Sequence, residues 1–259
     1  MVAALLLAVG STAYLGAAVD VRRRGRAWPA TRVACFGGAA LAAGAALVPP
    51  VSSHDERFPV HVAQHLLLGL VAPACLALAA PMTLAAIAAG PRRRHLFRLL
   101  HSRFLRTLLH PLVAAPLAIA PMYALYLTPL YAETLTQPLL HEAVHVHFAA
   151  AGFLFAASVI GVDPIPRRPS LRLRGAVLFV SLSAHAVLAK LLYAAGPGVA
   201  GLPAGGVGDW RRGAELMWYG GDLVDVLLVV ALFAEWRRVS ISSERRARMR
   251  ATPASICAP

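Results

Sequence analysis

The sequence predicts an all-α polytopic membrane protein: one bundle of seven transmembrane helices, amino terminus outside and carboxyl terminus in the cytoplasm. Three observations predict it. The 259 residues are 58% hydrophobic and 14% charged, and mean hydropathy is +0.64, too apolar for a soluble domain of this length. The apolar residues gather in runs of about 20, the length that crosses a bilayer. The arginines gather in every second gap between those runs.

The spans fall at roughly 1–19, 30–49, 60–80, 110–130, 140–160, 175–195 and 214–236. Residues 1–238 therefore form one transmembrane domain, and 239–259 form a basic cytoplasmic tail expected to be disordered. Pro49, Pro50, Pro59, Pro91, Pro138, Pro164 and Pro197 lie in or beside the gaps, where a missing N–H costs least. Pro73, Pro81, Pro116 and Pro121 lie within spans or at their edges and predict kinks braced by neighbouring helices. The first run has no basic stretch before it and one after it. It therefore reads as an outward-facing anchor helix rather than a cleaved signal.

A formal charge of +13 would point to nucleic acid in a soluble protein. Here Arg22–Arg24, Arg26 and Arg32 follow span one, and Arg92–Arg94, Arg98, Arg103 and Arg106 follow span three. Arg167, Arg168, Arg172 and Arg174 follow span five, and a further group from Arg237 to Arg250 follows span seven. The alternate gaps hold only Arg57, Arg211 and Arg212. That asymmetry sets the orientation, and the partner it implies is the lipid bilayer rather than nucleic acid. The single lysine, Lys190, against so many arginines points to GC-rich coding and so to a multi-pass protein of a bacterial plasma membrane. Trp28, Trp210, Trp218 and Trp236 lie near span ends, as interfacial aromatics do. Cys35, Cys75 and Cys257 have no paired spacing, which argues against disulfides and a CxxC metal site.

The chemistry lies in two segments, His61-Val-Ala-Gln-His65 and His141-Glu-Ala-Val-His145-Val-His147. A turn of helix takes about 3.6 residues, so each i,i+4 pair stacks on one face. Both pairs open spans that enter from outside, at matched depth, and ionisable groups in a membrane need a partner or a task. Neutral imidazole binds copper, zinc, iron and nickel. His61, His65, His141 and His145 are the expected ligands. Met217 offers a thioether suited to Cu(I), and Asp222 offers a carboxylate to orient a ligand or accept a proton. His185 is equally a cluster member or a structural residue. His147 lies about 200° around the helix from His145, which leaves it a second site or a bond to a neighbouring helix. Lys190 either pairs with Asp222 or Asp225 or snorkels outward.

Other chemistries fit parts of this pattern. His141-Glu142-x-x-His145 is a literal zinc-protease HExxH, in which Glu142 would activate water, but that motif leaves His61, His65 and His147 unexplained. His65 with His145 could be axial ligands to a b-type haem. Asp222, Asp225 and Lys190 could relay protons or solutes in a transporter. A retinal Schiff base is disfavoured because the last span has no lysine.

The order of motifs adds a resemblance. His61 to Gly69, Tyr126-Leu-Thr-Pro-Leu-Tyr131, His141 to Phe148, Gly161-Val-Asp-Pro164 and Leu216-Met-Trp-Tyr-Gly-Gly-Asp222 together resemble the seven-span CtaG-type proteins of caa3-type cytochrome c oxidase assembly. The likeness runs from about residue 54 to 238. The approach Asp209-Trp-Arg-Arg-Gly213 departs from the Asp-Gln start associated with that family. The resemblance implies a respiratory-chain assembly factor without catalysis of its own, with oxidase subunits as partners. It also implies copper handled on the outer side of the plasma membrane, although zinc and haem share the same ligands.

Overall fold

The computed structural model describes residues 2–49, 51, 54, 56–100, 102–163, 168–196 and 206–251. Expectations placed on Pro50, Pro164, Arg167, Pro197, Cys257 and residues 252–259 fall outside it. The described residues form helices and no strands. Val2–Arg23 (α1) and Ala30–Leu47 (α2) pack as a pair. Phe58–Leu66 (α3) continues through a π-helical stretch, Leu67–Val71, into Ala72–Leu78 (α4). Three short helices follow: Pro81–Ala88 (α5), Arg93–Leu100 (α6) and Arg103–Leu108 (α7). Pro111–Leu127 (α8) bends by 81° into Leu130–Thr136 (α9). Pro138–Ile160 (α10), Leu171–Ala195 (α11) and Gly206–Ala251 (α12) complete the order.

Five of these stretches are long and apolar enough to cross a membrane: α2, Phe58–Leu78, α10, α11 and Gly206–Ile241 of α12. A sixth arises if the bent α8–α9 pair is one span. The molecule is thus a multi-pass helical membrane protein. The expected first span coincides with α1, a 22-residue helix outside that set.

The interior prolines act on the backbone as expected, each with an identifiable remedy. Pro73 cannot supply the N–H that the Gly69 carbonyl would take in an α-helix, and the chain widens to a π-turn just before it. Pro121 likewise strips the Leu117 carbonyl of its helical donor, and His147 Nε2 donates to that oxygen at 3.1 Å. Pro81 starts α5 after Ala80, whose φ of 53° is the left-handed bend that ends the third span. The Asp163 carboxylate closes the same corner, accepting from the Thr83 N–H at 2.8 Å, the Thr83 hydroxyl at 2.7 Å and the Met82 N–H at 3.2 Å.

Several expectations need correction. The arginine-rich gap after span three is built of α6 and α7 rather than loop. The stretch 239–251 continues α12 as helix, since no proline or glycine interrupts it before Pro253. Trp28 and Trp210, expected at the lipid interface, are 5% and 0% exposed. Each satisfies its indole inside the bundle, Trp28 on the Tyr14 hydroxyl at 3.3 Å and Trp210 on the Leu192 carbonyl at 2.8 Å.

Candidate metal centre

Both histidine pairs begin one turn inside their helices, and the packing of the third span against α10 is set just below them, at the π-stretch and α4. Gly69, in the π-stretch, and Gly152, on α10, meet without side chains between them: a Cβ on Gly152 would overlap the Gly69 carbonyl. Because the two helices run the same way from that contact, His61 and His65 come level with His141 and His145. The imidazole rings of His61 and His65 lie 4.2 Å apart, as do those of His141 and His145. Across the helices His61 is 5.6 Å from His141, and His65 is 5.3 Å from His145.

One nitrogen each of His61, His65 and His141 lies within 4.8 Å of the other two. Three imidazole nitrogens bound to one ion at about 2.0–2.1 Å would be roughly 3.3–3.5 Å apart. Small ring rotations close that gap. His145 stands beside this triad, against both His65 and His141, rather than inside it.

Burial makes the need for a partner explicit. His61 is 0% and His65 7% exposed. Neither nitrogen of either ring has a hydrogen-bond partner among the described residues, and neither does His145 Nε2. A buried polar group without a partner costs about 1–3 kcal/mol, and this bundle keeps several such nitrogens together. The donor set fits a borderline or soft transition metal: imidazole nitrogens, with no carboxylate or thiolate in the group.

An aromatic plug covers the centre at the end where α3 begins. Phe58 stacks on Trp210 at 3.9 Å and meets Tyr126 and Tyr131 edge-on at 5.6 and 5.5 Å. Tyr131 in turn lies edge-on against His61 at 4.8 Å. Gly213 on α12 makes room for Phe58, since a Cβ there would overlap the ring. Above the plug Arg57 and Asp209 pair at 2.9 Å, with Arg212 at 3.4 Å from the same carboxylate. Asp209 raises the Arg57 pKa above its ordinary value. The sequence reading left Asp209 without a role; it ties the start of α12 to the start of α3. Gln64 holds the other flank, donating to the Ala46 carbonyl at the end of α2 at 2.9 Å.

The remaining expected site residues divide. His185, on α11, and Met217, on α12, are buried and share a cavity with His65. His147 is turned away to α8 and serves the proline defect there. Asp222 lies on the exposed side of α12. The buried carboxylate facing His185 belongs instead to Asp225, whose Oδ2 is 3.9 Å from His185 Nδ1. Lys190 stands 4.5 Å over the Trp218 ring, a cation–π contact in place of the expected ion pair. Tyr126 and Tyr131, which wall the centre, were not singled out as site residues. Their signal was available, because they bracket the Tyr-x-x-x-x-Tyr motif.

Uncharacterized proteins of Mycobacterium bovis and Mycobacterium tuberculosis are each 32% identical over 271 residues, covering 95% of this chain and 40% of theirs. One from Mycobacterium leprae is 31% identical, covering 94% and 40%. The chain therefore spans about two fifths of the length of these relatives. No solved structure matches. The sequence model of the cytochrome c oxidase caa3 assembly factor family matches residues 12–239, and the chain belongs to that family.

Proposed function

We propose that this protein binds copper through His61, His65 and His141, with His145 beside them, and passes it to a cytochrome c oxidase subunit during assembly. The family supplies the assembly role and the client. The observation that carries the copper reading is the buried triad, whose nitrogens lie within 4.8 Å of one another, with His61 and His65 unpartnered. The reading includes seven spans, with α1 as the first and α8–α9 counted as one. The arginine asymmetry then puts the centre near the outer face of a bacterial plasma membrane. Delivery needs a site that binds and releases, and neutral imidazoles exchange more readily than a closed thiolate cage.

The test is metal analysis of the purified chain from copper-replete, reducing cells, beside His61→Ala and His65→Ala. Copper is expected in the wild type and reduced in both variants. A wild type without copper, or with zinc alone, overturns the reading. Copper unchanged in both variants moves the site elsewhere. The protease and haem alternatives have no observation in their favour.

A further inference from the structure

The triad is not the last metal-competent space along α3. A cavity of about 60 Å³ lies beside it, lined among others by His65, Met122, Tyr126, His185, Met217 and Asp225. One water needs about 10–15 Å³ measured this way, so there is room for an ion with its ligands drawn in. His185 is 4% exposed, and both its ring nitrogens lack hydrogen-bond partners among the described residues. Its position depends on Gly221, where a Cβ would overlap the imidazole. Asp225 stands at Nδ1 of the same ring, 3.9 Å away, the place from which a carboxylate orients a ligating histidine through the opposite nitrogen. Two methionines, Met122 at 7% and Met217 at 3% exposure, complete the apolar wall.

We propose that this cavity is a second copper position, specific for Cu(I), held by His185 and the thioethers of Met122 and Met217, with Asp225 as the positioning residue. The inference rests on the copper reading above. An imidazole with two thioethers is a softer donor set than three imidazoles and favours the reduced ion. His65 belongs to both places, since its ring is in the triad and also lines the cavity. Transfer is a ligand exchange: a bond from Cu(I) to an imidazole nitrogen breaks as a bond to a thioether sulfur forms. No electron moves, and no further reactant is required.

The experiment loads the purified full chain with Cu(I) anaerobically, then measures copper per chain and the copper X-ray absorption fine structure. Two coppers per chain and a sulfur shell are expected. Met122→Leu/Met217→Leu, which keeps the wall apolar and of similar size, should lose one copper and the sulfur shell. His185→Ala should also lose one copper, while His61→Ala/His141→Ala should retain a sulfur-ligated ion. One copper with nitrogen scatterers only, unaffected by the methionine and His185 variants, overturns the second position and leaves the triad standing. A sulfur shell that survives in the double methionine variant assigns the sulfur elsewhere and overturns it too. No copper at all removes the reading on which both depend.

Discussion

Gly152 of α10 rests directly on the carbonyl of Gly69, with no room for a side chain between them. That contact sets the separation of the two helices that carry the histidines. Pro73 lies one turn on and cannot give the Gly69 carbonyl an α-helical N–H, and the chain widens to a π-turn just before it. Small residues at such a crossing let membrane helices approach closely.

Gly152→Ala should therefore push α10 away from the third span. We expect a loss of about 1–3 kcal/mol from overpacking, read as a lower Tm in detergent. Copper content should also fall, although no histidine is touched. A variant with wild-type Tm and copper would show that this contact does not set the centre.

Glu142→Gln separates two readings of His141-Glu142-x-x-His145. A metalloprotease loses its general base, whereas a copper carrier keeps its ligands. Copper content and oxidase maturation in cells should stay within about twofold of wild type. Loss of maturation with normal copper content would argue for a catalytic glutamate.

His147→Phe tests a histidine assigned to structure. It removes the donor to the Leu117 carbonyl, which Pro121 leaves without a helical partner. An unsatisfied buried acceptor costs about 1–3 kcal/mol, so Tm should fall while copper per chain holds. His65→Ala should show the reverse: copper per chain falls, and the Tm of the copper-free protein changes little, because an unpartnered buried imidazole is removed.

Gly221→Ala places a methyl where the His185 ring lies. The imidazole must move, and a cost of about 1–3 kcal/mol is expected. The triad should keep its copper and the cavity should lose its own, so copper per chain should fall by one. An unchanged count would mean that His185 can shift and still ligate.

Helicity and the pairing within each histidine segment were legible from residue spacing alone. Apolar runs of about 20 residues bounded by prolines and arginines leave few alternatives in a bilayer, where a stretch of that length satisfies its backbone as a helix. The spacing His61/His65 and His141/His145 fixes a shared face whatever surrounds it. The ordered motifs carried the family, and the family model agrees with it.

Which faces meet was a matter for the tertiary structure. In a soluble helix, polarity tells the inward side from the outward. In a membrane span both sides are apolar, so periodicity cannot say that Asp225 turns inward while Asp222 stays exposed, or that His147 faces α8. The same holds for Trp210, buried within the plug instead of lying at the interface. The sequence determined that imidazoles would stack in pairs at matched depths. The close approach at Gly69 and Gly152 decided that the pairs meet, because small residues at a crossing let two spans come close enough for their imidazoles to touch.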